Sequence, residues 1–173
     1  PIPKPKPEKL PVDSTGRTPV VVPDKPIPVA PQIEPVTKPK PKTMSPDELF
    51  AKAAPAVVRV EVRDAGFRLI GFGSAFFVSS DGFLVTNYHV IEKAKFASIR
   101  MGDKTTLFVE GIAAVNAKAD LALLKVNTKG QAFLTLDSGQ PPKVGVKVYA
   151  IGSPKGWENT FSDGMVSGHR ELK

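Results

Sequence analysis

Gly71-Phe72-Gly73-Ser74-Ala75-Phe76-Phe77-Val78-Ser79-Ser80-Asp81-Gly82-Phe83-Leu84-Val85-Thr86-Asn87-Tyr88-His89-Val90 is the stretch whose reading decides the fold. Ser79-Ser80-Asp81-Gly82 at its centre is a hairpin turn, because glycine takes positive φ without steric cost and Ser and Asp hydrogen-bond the local backbone. The residues on either side are apolar, aromatic and β-branched, which suits paired strands. Ser74–Val78 therefore runs into the turn and Phe83–Thr86 runs out of it. The second strand ends on Thr-Asn-Tyr-His-Val, which starts a helical turn through Ile91 and Glu92. His89 thus follows a strand directly.

The same alternation continues outward. In Val57–Arg63, Val58, Val60 and Val62 point one way and Arg59, Glu61 and Arg63 the other, as in a half-buried strand. Asp64-Ala65-Gly66 is a turn. A strand over Phe67–Ile70 follows, with Gly71-Phe72-Gly73 read as a break before Ser74. Further strands are expected at Phe96–Arg100, Thr105–Glu110, Ile112–Val115 and Leu121–Val126. Pro141-Pro142 joins a second part, with strands at Val144–Ile151 and Phe161–Ser167 around a turn at Gly152-Ser153-Pro154-Lys155-Gly156. Short strands broken by Gly and Asp at intervals of about eight to twelve residues indicate an antiparallel barrel or sandwich. One helix is expected ahead of them. Ser45 is its N-cap, Pro46 stands at N1 and Glu48 completes a capping box; Pro55 stops it by Ala54. Its expected task is to cover an open end of the barrel.

Of the 18 prolines, 14 fall between Pro1 and Pro46. Residues 1–44 are accordingly read as a disordered Pro/Lys-rich linker of polyproline character, able to span up to roughly 140 Å at about 3.1 Å per residue. Residues 45–140 are read as the N-terminal barrel with its leading helix, and residues 141–173 as the start of a second barrel. Two strands do not bury a core by themselves, so further sequence is expected, and the 173-residue chain alone is expected to fold poorly. The net charge is +7, and residues 1–45 hold eight Lys or Arg against four Asp or Glu. The basic excess lies largely in the linker, where it favours anionic surfaces such as a cell envelope. No nucleic-acid-binding motif accompanies it, so nucleic acid is not a partner. With no cysteine and two histidines about eighty residues apart, neither a disulfide nor a metal centre is expected, and no cofactor.

His89 and Asp120 are the two candidate catalytic residues. A histidine following a strand at a barrel rim can act as a general base towards a hydroxyl across a cleft. Asp120 leads the apolar run Leu121–Leu124. An acid entering a buried strand needs a partner, and an imidazole Nδ1–H is a suitable one. The serines present make poor nucleophiles. Ser74, Ser153, Ser162 and Ser167 all lack the Gly-x-Ser-Gly context that sets Oγ beside free backbone amides. Asp163 is read as a turn or strand-edge residue, His169 as a solvated surface residue and Trp157 as a loop anchor or barrel cover.

The stretch 71–90 closely resembles the HtrA/Deg branch of the trypsin-like serine proteases. Asp-Leu-Ala-Leu-Leu-Lys-Val at 120–126, Tyr-Ala-Ile-Gly-Ser-Pro-Lys-Gly at 149–156 and Ser-Asp-Gly-Met-Val-Ser-Gly at 162–168 are similar to it as well, in order and at the family's spacing. The resemblance runs from about Ser45 to Gly168. It implies an all-β chain in the double antiparallel β-barrel of trypsin-like proteases, with the first barrel complete and the second partial, and an active site between the barrels. It implies a serine endopeptidase acting on protein or peptide substrates, with His89 as general base and Asp120 as its orienter. The nucleophilic serine and the oxyanion-hole amides would lie a few tens of residues past Lys173, so residues 1–173 alone would be inactive. A bacterial periplasmic or envelope location, a tether upstream of Pro1 and a homo-oligomer are all compatible with the resemblance. The chain departs from digestive trypsins in having Val90, not Cys, after the histidine, and no Ile-Val-Gly-Gly terminus. Two other readings stay open from sequence: a non-catalytic peptide-binding pseudoprotease barrel, and an envelope-tethered structural module.

Overall fold

The computed structural model describes residues 14–16, 18, 44–137, 139–152 and 160–170. The turn expected at 152–156 falls largely outside them, as do Ser153, Trp157 and most of the proline-rich segment.

Helix α1 (Pro46–Ala53) begins as its sequence requires. Glu48 N–H donates to Ser45 Oγ at 3.4 Å, and Ser45 N–H donates to the Glu48 carboxylate at 2.9 Å. Two of the N–H groups that a helix start leaves orphaned are thereby satisfied. Pro55 then converts the chain to one tight turn, Ala54–Ala56. The ring contact that α1 makes is with a strand of the second part, to which Phe50 presents an edge.

Six strands follow: β1 (Val57–Arg63), β2 (Leu69–Phe77), β3 (Phe83–Thr86), β4 (Phe96–Arg100), β5 (Thr106–Asn116) and β6 (Leu121–Val126), with helix α2 (Tyr88–Ile91) between β3 and β4. They close into an antiparallel barrel in the order β1-β2-β3-β6-β5-β4, with β4 pairing back onto β1. Period-2 alternation fills the interior. Val58, Val60, Val62, Phe77, Leu84, Ile99, Val109, Leu124 and Val126 are all buried and form one cluster. In a small barrel such side chains occupy the whole lumen. Two strands, β7 (Lys147–Gly152) and β8 (Thr160–Met165), form a separate antiparallel pair. The all-β fold class expected from sequence is the one observed.

Three expectations about elements need correction. Gly71-Phe72-Gly73 is no break: β2 runs through it, with Gly71 opposite Val62 and Gly73 opposite Val60. The glycines are there because neighbouring side chains crowd them. A Cβ on Gly71 would meet Val62 at 3.3 Å, and one on Gly73 would meet Val90 at 2.6 Å. Likewise Thr105–Glu110 and Ile112–Val115 are one strand, β5, kept continuous by register shifts at Val109/Gly111 and Ile112/Ala114. Such bulges bend a strand around a barrel without ending it. Next, β7 starts at Lys147 rather than Val144. Gly145 takes φ +89° and Val146 N–H bonds to Lys143 O, which makes that stretch a turn. Asp163, expected in a turn or at a strand edge, lies on β8 of the two-stranded sheet, in which each strand has a free edge among the described residues. It pairs with Tyr149 inside the β7–β8 ladder, and its carboxylate meets Lys147 Nζ at 2.8 Å. Among the described N-terminal residues, Ser14 exchanges hydrogen bonds with the backbone of Thr106 at the start of β5.

Candidate active site

The register between β3 and β6 builds the site. Thr86 stands opposite Ala122, and Val85 opposite Leu123. Carried two residues past the end of β3, the same register sets Tyr88 opposite Asp120, and Tyr88 N–H does donate to Asp120 O at 3.1 Å. His89 and Asp120, 31 residues apart in sequence, are therefore brought together by one antiparallel pair. Thr86, the last residue of β3, is buried but satisfied, because its hydroxyl donates to Ser74 O at 2.7 Å.

Helix α2 is held to the barrel on its inner side. Ile91 is buried in the core cluster, with Tyr88 and Val90 packed against it. His89 is left pointing outward, with its side chain 69% exposed. The Asp120 carboxylate grips it twice. Oδ1 accepts the His89 backbone N–H at 2.8 Å, and Oδ2 lies 2.7 Å from Nδ1. The backbone bond caps α2 from outside its own sequence, a place normally taken by the residue before the helix. Asn87, which occupies that place, makes no cap hydrogen bond. Its amide Nδ2 turns to Asp120 instead, at 3.1 Å from Oδ2 and 3.3 Å from the backbone oxygen.

Asp120 sits at φ +53°, left-handed backbone that Asp tolerates better than most residues. The turn before β6 supports it: Asp120 N–H bonds to Ala117 O, and Ala119 N–H to the Asn116 side chain. The burial expected for this acid is not found, since its side chain is 41% exposed. Leu121 is exposed as well. The imidazole partner is thus supplied by strand register and not demanded by desolvation. The His89 N–H first, and then the His89 ring and the Asn87 amide, hold the Asp120 carboxyl below its ordinary value of 3.8. It is ionised at neutral pH.

An ionised carboxylate accepts only, so Nδ1 carries the proton it shares with Oδ2. In neutral imidazole the lone pair then lies on Nε2, which makes no hydrogen bond among the described residues. Such a ring can take a proton at Nε2 and hold the resulting positive charge beside a carboxylate. Ser74, Ser162 and Ser167 lie on β2, on β8 and just after β8. His169 is exposed. The sequence reading assigned no role to Asn87. Its one signal is its position, an Asn between a strand and the histidine's helical turn.

The family description "Trypsin-like peptidase domain" matches residues 73–172. The chain belongs to the trypsin-like peptidase family. Within that family its similarity is to the HtrA/DegP proteins. It is 39% identical over 95 residues to a "Probable periplasmic serine endoprotease DegP-like" of Pseudomonas fluorescens, covering 55% of this chain and 20% of that protein. It is 36% identical over 130 residues to "Serine protease HTRA1" of Xenopus laevis, covering 69% and 27%. The chain thus spans about a quarter of the length of the curated relatives it matches. Among solved structures, the serine endoprotease from Yersinia pestis superposes with a TM-score of 0.64 at 28% identity, covering 74% of this chain and 46% of that one. An HtrA-type protease with tripeptide gives a TM-score of 0.65 at the same 28% identity, covering 72% and 40%. The recognition of an HtrA-type, trypsin-like chain from its motifs is thereby borne out.

Proposed function

We propose that this chain carries the base and its orienter for a serine endopeptidase. A serine that follows Lys173 attacks the peptide carbonyl, and His89 Nε2 takes its proton. The same nitrogen returns the proton to the leaving amine, and a water then hydrolyses the acyl-enzyme by the reverse transfers. Asp120 fixes the tautomer and steadies the imidazolium. The observation that carries this reading is the 2.7 Å contact between His89 Nδ1 and Asp120 Oδ2, made by a histidine whose side chain is 69% exposed.

Residues 45–140 are the first barrel with its helix, and residues 141–173 open the second. Val144, Val146, Val148 and Met165 are exposed on and beside β7–β8, and further strands of the second barrel would cover them. Those strands supply the oxyanion-hole amides, so residues 1–173 alone do not hydrolyse peptides. The substrates are proteins or peptides of the periplasm, which agrees with the naming of the DegP-like relatives. The Pro/Lys-rich segment tethers the barrel to the envelope. Among the described residues no helix is long and apolar enough to cross a membrane.

The test is labelling of the full-length protein with a fluorophosphonate, which reacts only with an activated serine. We expect one modified serine, on the C-terminal side of Lys173, and loss of labelling in His89→Ala. Absence of labelling in the wild-type protein, with retained binding of unfolded peptides, would leave a peptide-binding pseudoprotease barrel in place of the enzyme.

A further inference from the structure

The oxygens of Asp120 have more donors than His89 supplies. Oδ1 takes the His89 N–H, and Oδ2 takes both the His89 ring and Asn87 Nδ2. The backbone oxygen takes Tyr88 N–H and Asn87 Nδ2. Asn87 therefore spends its amide group on both ends of one residue, and leaves the capping of its own helix to Asp120 Oδ1. The residue it holds has left-handed backbone at the end of a turn. We infer that Asn87 is a positioning residue: its amide clamps the Asp120 carboxylate plane and backbone together, so that Oδ2 stays aligned with His89 Nδ1. This inference rests on the proposed roles of His89 and Asp120.

The need for a clamp follows from exposure. An Asp120 side chain that is 41% exposed is open to rotation towards water whenever the His89 N–H on Oδ1 and the His89 ring on Oδ2, which belong to one residue, shift together. A second donor on Oδ2, anchored also to the backbone oxygen, removes that rotation. Charge-assisted bonds of this kind are among the stronger ones. Asn suits the task because its NH₂ has two hydrogens for two acceptors, while aspartate at the same position has none.

That chemistry separates positioning from mere helix capping. Asp and Asn are equally good N-caps, so a capping role predicts that Asn87→Asp is at least as active as Asn87→Ala. A clamp predicts the reverse, because Asn87→Asp sets a second carboxylate against Oδ2. The experiment measures peptide hydrolysis by the full-length protein for wild type, Asn87→Ala, Asn87→Asp and His89→Ala. We expect kcat to fall roughly tenfold to a hundredfold in Asn87→Ala and further in Asn87→Asp, with KM within about twofold in both. Asn87→Ala within twofold of wild type, or Asn87→Asp as active as Asn87→Ala, overturns the clamp. Full activity in His89→Ala overturns the proposed function and the clamp with it. A second readout needs no catalysis: titration of the Asp120 carboxyl by ¹³C NMR in wild type and Asn87→Ala. Loss of a donor to the charged form moves the midpoint up, and an unmoved midpoint overturns the clamp even in a protein that hydrolyses nothing.

Discussion

Gly73 on β2 and Val90 on α2 are in direct apposition. A Cβ placed on Gly73 would stand 2.6 Å and 2.9 Å from the two methyl carbons of Val90. Val90 is the residue after His89, so the space left by a missing side chain on one strand sets how closely the histidine's helix approaches the barrel. Gly73→Ala should lift Val90, and with it His89 away from Asp120. Overpacking of this kind costs about 1–3 kcal/mol. We expect lower stability together with lower activity of the full-length protein. Val90→Ala in the same molecule should restore much of both, giving a coupling of about 0.5–3 kcal/mol in a double-mutant cycle. Additive losses in thermal melts would show that the two sites do not press on each other.

The Asp120 carboxylate links the site to stability at low pH. Its folded-state pKa is depressed below 3.8 by the His89 N–H, the His89 ring and Asn87. The stabilisation is therefore fully present above pH 3.8, and is lost as the pH falls below it towards the folded value. Asp120→Asn cannot ionise, so the difference in stability between wild type and Asp120→Asn should shrink as acid is added below pH 4. Denaturant midpoints measured between pH 2 and pH 6 check this. A constant difference across that range would mean that the carboxylate gains nothing from its donors.

Loss of function and loss of fold should separate cleanly between rim and lumen. Phe77 is wholly buried in the core cluster, and Phe77→Ala leaves a cavity worth about 3–5 kcal/mol. His89 projects from the rim with most of its ring in solvent. His89→Ala should therefore leave the thermal midpoint close to that of wild type while hydrolysis falls by roughly 10⁴–10⁶. Activity and melting curves of the two variants, taken side by side, test the division. A large drop in the midpoint for His89→Ala would mean that the ring is a structural prop.

The strands placed correctly from sequence are those with no glycine inside them. Val57–Arg63, Phe83–Thr86, Phe96–Arg100 and Leu121–Val126 have the expected bounds, because runs of β-branched, aromatic and other apolar residues suit a pleated, half-buried surface and carry no local break signal. The misplacements cluster at glycines. Gly71, Gly73 and Gly111 look like breaks locally, but Gly71 and Gly73 are sites of close approach, and Gly111 lies at a bulge in an unbroken strand. Which neighbour comes close is a fact of tertiary structure, with no trace in the glycine itself. The site divides in the same way. His89 and Asp120 stand out by type and context. Asn87 does not, because an Asn before a helical turn reads as a cap. Only the β3–β6 register shows that its amide faces Asp120. Burial at the head of an apolar strand, the feature that singles out Asp120 in the sequence, is absent from the fold, where its side chain is 41% exposed.

The leading helix offers a last test, since it joins parts of the fold that are far apart in sequence. Phe50 on α1 presents its ring edge-on to Phe161 of β8 at 5.3 Å, and Phe161 stacks on Tyr149 of β7 at 5.2 Å. Helix α1 feeds directly into β1 of the barrel through Ala54–Ala56. It thus ties the β7–β8 pair to the barrel's first strand. Phe50→Ala should loosen that tie and speed amide exchange in Lys147–Gly152 and Thr160–Met165 more than in the barrel core. Phe50→Leu keeps most of the apolar surface and loses the edge-to-face geometry, worth about 0.5–1.5 kcal/mol, so it should fall between wild type and Phe50→Ala. Hydrogen exchange read by mass spectrometry distinguishes the cases. Equal protection of β7 and β8 in all three proteins would mean that this pair is held by other contacts and that the helix merely rests on it.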